Sequence, residues 1–199
     1  MNYPGGVRKT NMNSQKEIHY QNRGMSLEAE LNDSNDYYRS IDKAFIYKKP
    51  TPIQITKVDY PSRDKAVIKE AFFTVPSTTD YNGLYEGKYI DFEAKETMNK
   101  TSFSLHNIHS HQIAHLKNIH LHGGISFLIV RFTTLGETYL LPAKEFLEFL
   151  ESGTRKSIPY CFFQKKAYLI KDTYRPRIDY LKVVDSIWEV NNEKKGNKI

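Results

Sequence analysis

Cysteine is almost absent from this sequence, and long apolar runs are missing. The single cysteine, Cys161, excludes an internal disulfide and a zinc cluster built from cysteines alone, and we expect an ordinary, partly buried residue. No apolar run is long enough to span a bilayer, and the first residues lack the apolar core of a signal peptide. The composition therefore predicts a cytoplasmic protein and argues against membrane insertion and secretion.

Acidic residues are outnumbered by basic ones. The 199 residues include 29 Lys and Arg against 23 Asp and Glu, which gives a formal net charge of +6. A basic balance favours a polyanionic partner, either nucleic acid or an anionic membrane surface. The length suits one domain with a sizeable core.

Residues 77–97 contain the main candidate catalytic residues of this sequence. They read STTDYNGLYEGKYIDFEAKET and are predicted to form a β-hairpin. Residues 78–81 are short and extended, Asn82-Gly83 is a turn signal, and residues 88–95 alternate like a half-buried strand.

The alternation gives the second strand of this hairpin one polar and one apolar face, because successive strand residues point to opposite sides. Tyr89, Asp91, Glu93 and Lys95 share the polar face, and Asp80 lies near the end of the partner strand. Two carboxylates and a lysine at a sheet edge are typical of phosphodiester-cutting sites. The carboxylates hold Mg²⁺, which lowers the pKa of a bound water, and the lysine offsets charge that develops on the phosphate.

The same residues are also typical of a solvated strand face, where Glu and Lys form charge pairs that support the sheet. An acid followed after a gap by Glu-x-Lys is a short pattern that matches many sequences by accident. This pattern alone therefore does not distinguish a nuclease site from a solvated surface, and evidence from the rest of the sequence is needed.

The ends of the chain differ from its middle. Residues 1–22 are polar and basic without apolar periodicity, which predicts a disordered basic arm. We predict a single domain over residues 23–190 and a frayed tail over 191–199.

Ser26 is the predicted N-cap of the first helix. The predicted inner face of that helix consists of Leu27, Leu31, Tyr38 and Ile41.

A second predicted hairpin precedes the first. After a short strand at residues 44–47, two strand-like runs at 53–60 and 66–74 are joined by a basic tip. We interpret residues 50–76 as a stalk inserted into the domain. A projecting basic hairpin can probe a groove or opening in a nucleic acid, and it can equally be a solvated hairpin that completes the sheet.

Residues 108–121 are predicted to form a helix whose inner stripe contains Gln112. A glutamine in an apolar stripe needs a polar partner, so Gln112 is a candidate to reach Asp80 and Glu93. Six of the seven histidines lie within residues 106–122, and the i, i+4 pair of His111 and His115 raises the alternative of a zinc site. The zinc-protease pattern requires Glu directly after His111, where this sequence has Gln112.

The remaining pattern predicts a mixed sheet with helices on its faces, an α/β fold. Residues 99–107 read as a polar loop, and residues 124–132 read as a central strand that is buried on both faces. Further elements are predicted at residues 138–141 (strand), 142–151 (helix), 167–170 (edge strand) and 178–188 (closing helix).

Several motifs together resemble the RecU family of Holliday junction resolvases. They are NRGMSLE, KKPTPIQI, VIKEAFF, STTDYNG, YIDFEAKET, HSHQ and RPRIDY, and they occur in that family's order over residues 22–180. The resemblance implies a restriction-endonuclease-like PD-(D/E)XK core with a projecting β-hairpin stalk, which agrees with the predicted mixed sheet.

The resemblance also implies roles for individual residues. It makes Asp80, Glu93 and Lys95 catalytic, and it adds Thr78 and Gln112 to Asp80 and Glu93 as ligands of Mg²⁺, for which Mn²⁺ can substitute. The implied contacts to substrate are Arg23, Lys48, Arg63 and Phe73.

Together with the residue pattern, the resemblance thus implies a Mg²⁺-dependent, structure-selective endodeoxyribonuclease that resolves four-way DNA junctions by paired symmetric nicks in recombination and repair. Two matched nicks in a nearly two-fold substrate imply a homodimer. The family resemblance adds recombinase and branch-migration proteins as partners. The alternatives are a nuclease of the same superfamily that cuts linear DNA, and a non-catalytic module that binds or anneals branched DNA.

Overall fold

The computed structural model describes residues 26–73, 78–153 and 155–188, with Arg63 described by its backbone alone. The predicted arm at 1–22, Arg23 and the predicted tail at 191–199 lie outside the described residues. Within the described ranges no helix is long and apolar enough to cross a membrane.

A six-stranded mixed sheet forms the centre of the fold and confirms the predicted class. Its strand order is β1-β4-β5-β7-β8-β10, in which β5 and β7 run parallel and the other neighbours run antiparallel. The strands of this sheet are β1 (Phe45–Lys48), β4 (Tyr81–Tyr85), β5 (Lys88–Thr97), β7 (Ile125–Phe132), β8 (Glu137–Pro142) and β10 (Tyr168–Ile170).

Helices cover both faces of the sheet and divide the core in two. One core joins α1 and α5 to one face of the sheet, and the other joins α2, α3 and α4 to the opposite face. The central strand β7 contributes Phe127 and Ile129 to the first core and Leu128 and Val130 to the second, as predicted for a strand buried on both sides. The helices are α1 (Leu27–Ser40), α2 (Ser110–Leu121), α3 (Ala143–Glu151), α4 (Tyr160–Lys166) and α5 (Tyr180–Trp188).

The first helix begins where the sequence predicts. The hydroxyl of Ser26 accepts a hydrogen bond of 3.2 Å from the backbone N–H of Ala29, which satisfies one of the free donors of the first turn. Leu27, Leu31 and Tyr38 are buried. The prediction was wrong for Ile41, which follows the last helical residue and is 49% exposed.

The β4–β5 hairpin exists, but its turn is not at Asn82-Gly83. The chain reverses at Glu86-Gly87, whose φ angles of 48° and 75° suit the two central positions of a type I′ turn. Gly83 instead pairs with Ile46 in the middle of β4. A Cβ at position 83 would lie 1.9 Å from the carbonyl oxygen of Phe45, so glycine is required there by the close approach of β1.

Replacing Gly83 with alanine should therefore destabilise the fold by about 3 kcal/mol or more, because the colliding atoms belong to rigid backbone. Urea unfolding followed by circular dichroism measures this change. Gly87→Asn is the control, because asparagine tolerates a positive φ and the space around Gly87 is open. Equal stability of Gly83→Ala and the unaltered chain would contradict this packing.

The predicted basic hairpin forms a sheet of its own. Strands β2 (Ile53–Asp59) and β3 (Val67–Phe73) pair antiparallel and are joined through a short 3-10 helix, Arg63–Lys65. All residues of the two strands are exposed except the half-buried Val58. The strand prediction is confirmed, and the alternative in which this hairpin completes the main sheet is wrong.

Strands β6 (Ser102–Ser104) and β9 (Ser157–Pro159) and helix α4, which lie on the α2 side of the sheet, were not predicted from the sequence. Residues 99–107, predicted as a polar loop, contain β6, which pairs with β9. Phe103 is buried at the centre of that pair and packs on Phe163 of α4. The free thiol of Cys161, also on α4, belongs to an exposed residue rather than a partly buried one.

Candidate active site

Three of the predicted site residues converge where β4 begins beside the middle of β5. The backbone N–H of Asp80 donates a hydrogen bond of 3.1 Å to Glu93 Oε2. In return, Asp80 Oδ2 accepts a bond of 3.3 Å from the backbone N–H of Ala94. Lys95 Nζ lies 2.5 Å from Glu93 Oε1. The two carboxylates and the ammonium group therefore form one cluster.

Strand geometry explains this convergence. Ile90 and Phe92 point into the core shared with α1, so Asp91, Glu93 and Lys95 point to the other side of the sheet. Glu93 is fully buried, whereas the side chain of Lys95 is 27% exposed. A cavity of about 210 Å³ opens beside Asp80 and Lys95, and the start of α1 forms its far wall.

The protonation of Glu93 is shifted by these surroundings. Burial, and next the neighbouring Asp80 carboxylate, raise the pKa of Glu93 to about 7, while Lys95 acts in the lowering direction. Near neutral pH this carboxyl group therefore changes its charge easily.

The two carboxylates fit a divalent cation. The Glu93 side chain is fully buried, and its Oε1 is paired with the Lys95 ammonium. Besides burial, the adjacent Asp80 carboxylate raises the pKa of Glu93, and a divalent cation bound by both carboxylates would offset this repulsion. Among the described residues there is no group of three or more His, Cys, Asp or Glu side chains that could hold a metal ion. Ligands of the cation other than Asp80 and Glu93 would therefore be neutral oxygen atoms or water.

The two other predicted ligands have partners elsewhere. Thr78 Oγ1 accepts a hydrogen bond of 3.0 Å from Lys49 Nζ. Gln112 is buried, as its place in the apolar stripe predicted, and its Oε1 accepts a bond of 2.9 Å from the backbone N–H of His109 at the start of α2. Neither of these hydrogen bonds reaches Asp80 or Glu93.

The two histidines of the zinc alternative point to different surroundings. His111 stacks on His109, with ring centroids 5.4 Å apart. His115 Nε2 lies 3.1 Å from Asp91 Oδ2, in a second polar cluster behind Glu93. Asp91 lies on the predicted face of β5, but its contacts come from distant segments that the local sequence pattern does not indicate.

Two of the predicted substrate contacts, Lys48 and Phe73, have side chains that the structure describes, and both are exposed. Lys48, at the end of β1, is 42% exposed and forms an ion pair with Glu28 at the start of α1. Phe73, at the end of β3, is 81% exposed. Arg63 begins the 3-10 helix at the hairpin tip, and its side chain is not described.

Comparisons with known proteins cover nearly the whole chain. The family model for "Recombination protein U", RecU, matches residues 22–186. A Holliday junction resolvase RecU of a Geobacillus species is 54% identical over 194 residues, which cover 94% of this chain and 96% of that protein. The protein of the same name from Bacillus mycoides is 56% identical over 172 residues, 85% of this chain and 86% of the relative.

A solved structure was also compared with this fold. It is that of Archaeoglobus fulgidus Hjc, described as a Holliday junction resolvase from an archaeal hyperthermophile. The match has a TM-score of 0.37 and 9% sequence identity, and it covers 68% of this chain and 92% of Hjc. The family model and the relatives above 50% identity are sufficient for assignment: this chain is a member of the RecU family.

Proposed function

We propose that this chain is a Mg²⁺-dependent endodeoxyribonuclease that resolves four-way DNA junctions by paired symmetric nicks. The observation that carries the proposal is the cluster of Asp80, Glu93 and Lys95 beside an open cavity. The names of the relatives supply the substrate class, since these proteins are Holliday junction resolvases.

Each residue of the cluster has a distinct part in the proposed chemistry. Asp80 and Glu93 hold Mg²⁺, which when bound supplies charge neutralisation on the phosphate and a lowered pKa for water. The Lys95 ammonium, 2.5 Å from Glu93 Oε1, stabilises the negative charge that develops on the phosphate oxygens. We keep Thr78 and Gln112 as proposed further ligands. Each of these side-chain oxygens accepts one hydrogen bond and would bind the ion through its second lone pair.

Selectivity for a junction is proposed to come from shape and phosphate position, because branching rather than base sequence defines this substrate. The β2–β3 hairpin, the proposed stalk, is separate from the main sheet and exposed along both strands. Arg63 at its tip, Phe73 at its base and Lys48 nearby on β1 are the proposed contacts, with Arg23 as a fourth. The net charge of +6 favours the phosphate backbone.

The proposed active unit is a homodimer that acts in the cytoplasm, with recombinase and branch-migration proteins as partners. A two-fold axis relates two copies of one site in the way that two matched nicks require. Sedimentation measurements with and without junction DNA test this arrangement, and a monomer that makes both nicks would contradict it.

The decisive experiment compares nicking of a four-way junction with nicking of linear duplexes of the same sequences, with and without Mg²⁺. We expect paired incisions in the junction that require the metal ion. Equal rates on linear DNA would favour a nuclease of a different specificity. Tight junction binding without any cutting at any Mg²⁺ concentration would favour a binding or annealing module.

Phe73 provides a test of the proposed stalk. Phe73→Ala should weaken junction binding by about tenfold and leave linear duplex binding unchanged, because a ring at the branch point would stack on unpaired or splayed bases. Fluorescence anisotropy without Mg²⁺ measures both affinities. Phe72→Ala is the matched control, because Phe72 is also exposed but points to the other face of β3. Equal effects of the two substitutions would contradict a specific contact by Phe73.

A further inference from the structure

A second polar cluster lies behind Glu93 on the same face of β5. Its centre is Asp91, which is fully buried. Lys49 Nζ lies 2.7 Å from Asp91 Oδ2, and the Tyr89 hydroxyl donates to the same oxygen over 3.0 Å. His115 Nε2 approaches it to 3.1 Å, and the hydroxyl of the buried Thr79 donates to Oδ1.

Lys49 connects this cluster to the segment that carries Asp80. Its Nζ donates to Thr79 Oγ1 over 2.6 Å and to Thr78 Oγ1 over 3.0 Å. Its backbone N–H donates to the carbonyl oxygen of Asp80 over 2.8 Å. One lysine therefore contacts all three residues from Thr78 to Asp80.

The neighbouring lysine has a different environment, which shows that Lys49 is not simply part of a basic surface. The side chain of Lys49 is 14% exposed and directed at Asp91. The side chain of Lys48 is 42% exposed and paired with Glu28. Because adjacent strand-end residues point to opposite sides, Lys48 is available to DNA and Lys49 is not.

The segment from Thr78 to Asp80 needs such support because the β-ladder starts after it. The pairing of β4 with β5 begins at Tyr81 opposite Phe92, and its pairing with β1 ends at Lys48 opposite Tyr81. Side-chain contacts therefore help to set the position of Asp80 relative to Glu93.

We propose that the buried Lys49–Asp91 pair, acting through the Thr79 hydroxyl, is a positioning device that holds Asp80 in place for the divalent cation. This inference rests on the proposed metal-dependent function and extends it to residues that do not touch the cation. Removing a partner that orients a metal ligand typically lowers metal affinity or activity on the order of 10-fold to 100-fold.

Thr79→Val is the sharpest test, because it removes the hydroxyl while keeping the side-chain shape and leaving the Lys49–Asp91 pair intact. We expect the dissociation constant for Mn²⁺, measured by electron paramagnetic resonance titration, to rise by about tenfold or more. The Mg²⁺ concentration for half-maximal junction nicking should rise in parallel, while junction affinity without metal stays unchanged. Thr79→Ser, which restores the hydroxyl, should recover most of both losses.

Thr138→Val is the matched control for stability. Thr138 is equally buried and accepts a hydrogen bond of 3.0 Å from Arg131 Nε, but it lies on β8, away from Asp80. The Thr138→Val protein should have a lower free energy of unfolding in urea than the unaltered chain, with the same affinity for Mn²⁺. If Thr79→Val fails to fold, Lys49→Arg provides a second perturbation of the same contacts and should also weaken Mn²⁺ binding.

The outcomes separate this inference from the proposed function. Unchanged Mn²⁺ affinity in Thr79→Val would overturn the positioning role, whether or not the unaltered chain cuts junctions. Normal Mn²⁺ binding by the unaltered chain without any nicking would overturn the proposed function alone. Failure of the unaltered chain to bind Mn²⁺ would overturn both.

Discussion

Lys95→Ala is expected to lower the rate of Mg²⁺-dependent junction nicking by a factor on the order of 10² to 10³ while junction binding stays nearly unchanged. The Lys95 ammonium lies 2.5 Å from Glu93 Oε1, so it is next to the proposed ligands of Mg²⁺, where the proposed function puts the reacting phosphate. Single-turnover nicking of a labelled junction, with affinity measured separately in the absence of Mg²⁺, separates the two effects.

A second consequence of losing Lys95 has to be distinguished from the first. Lys95 acts to lower the pKa of Glu93, so its removal should raise that pKa further and leave more of Glu93 protonated at neutral pH. Rates measured up to pH 9 separate the two causes. A loss that persists at pH 9 reflects the missing charge on the phosphate, whereas full recovery there would contradict that role.

The control for Lys95→Ala is Lys182→Ala, which removes a lysine of equal charge from α5, on the opposite side of the sheet. Its nicking rate should match that of the unaltered chain. An equally large loss in both variants would indicate a general effect of net charge on DNA binding rather than a local contribution from Lys95.

Glu93→Gln is expected to make the metal-free protein more stable at pH 8, by about 2 to 3 kcal/mol, although it removes a proposed catalytic residue. The pKa of Glu93 is raised to about 7 in the folded protein, above its ordinary value of 4.5. The folded state therefore binds the proton more tightly than the unfolded state. Ionised Glu93 destabilises the fold progressively as pH rises from about 4.5 to about 7, and glutamine avoids this cost.

Urea unfolding of both proteins at pH 5 and pH 8, with a chelator present, measures this effect. The advantage of Glu93→Gln should be largest at pH 8, should shrink towards pH 5, and should fall when Mg²⁺ is added, because the cation favours the ionised carboxylate. Glu151→Gln, at an exposed position on α3, is the control for the loss of one carboxylate. A Glu93→Gln protein that is less stable at pH 8 would contradict the raised pKa.

Some of the site was predictable because strand geometry is local. The alternation of Tyr89, Asp91, Glu93 and Lys95 follows from a period of two, and it holds in the folded chain. The long apolar run of β7 predicted a central strand for the same reason, since a strand covered on both faces needs apolar residues at every position.

Other features depended on neighbours that no local pattern identifies. Asn82-Gly83 looks like a turn, but the close approach of β1 holds Gly83 in a strand, and the reversal falls at Glu86-Gly87. Phe103 in a polar loop became the buried centre of the β6–β9 pair because α4 covers it.

By itself, the sequence determined the strand that carries Glu93 and Lys95, the side of that strand on which they lie, and the family to which their motifs belong. Tertiary structure decided which residues support them: Lys49 reaches Asp91 across 42 positions of the chain and His115 across 66. The periodicity of a strand or helix repeats every two to four residues, so a short segment of sequence is enough to predict which residues share a face. Contacts between distant segments are set by how the sheet and helices pack, so Lys49 and Asp91 acquired their proposed role only in the folded chain.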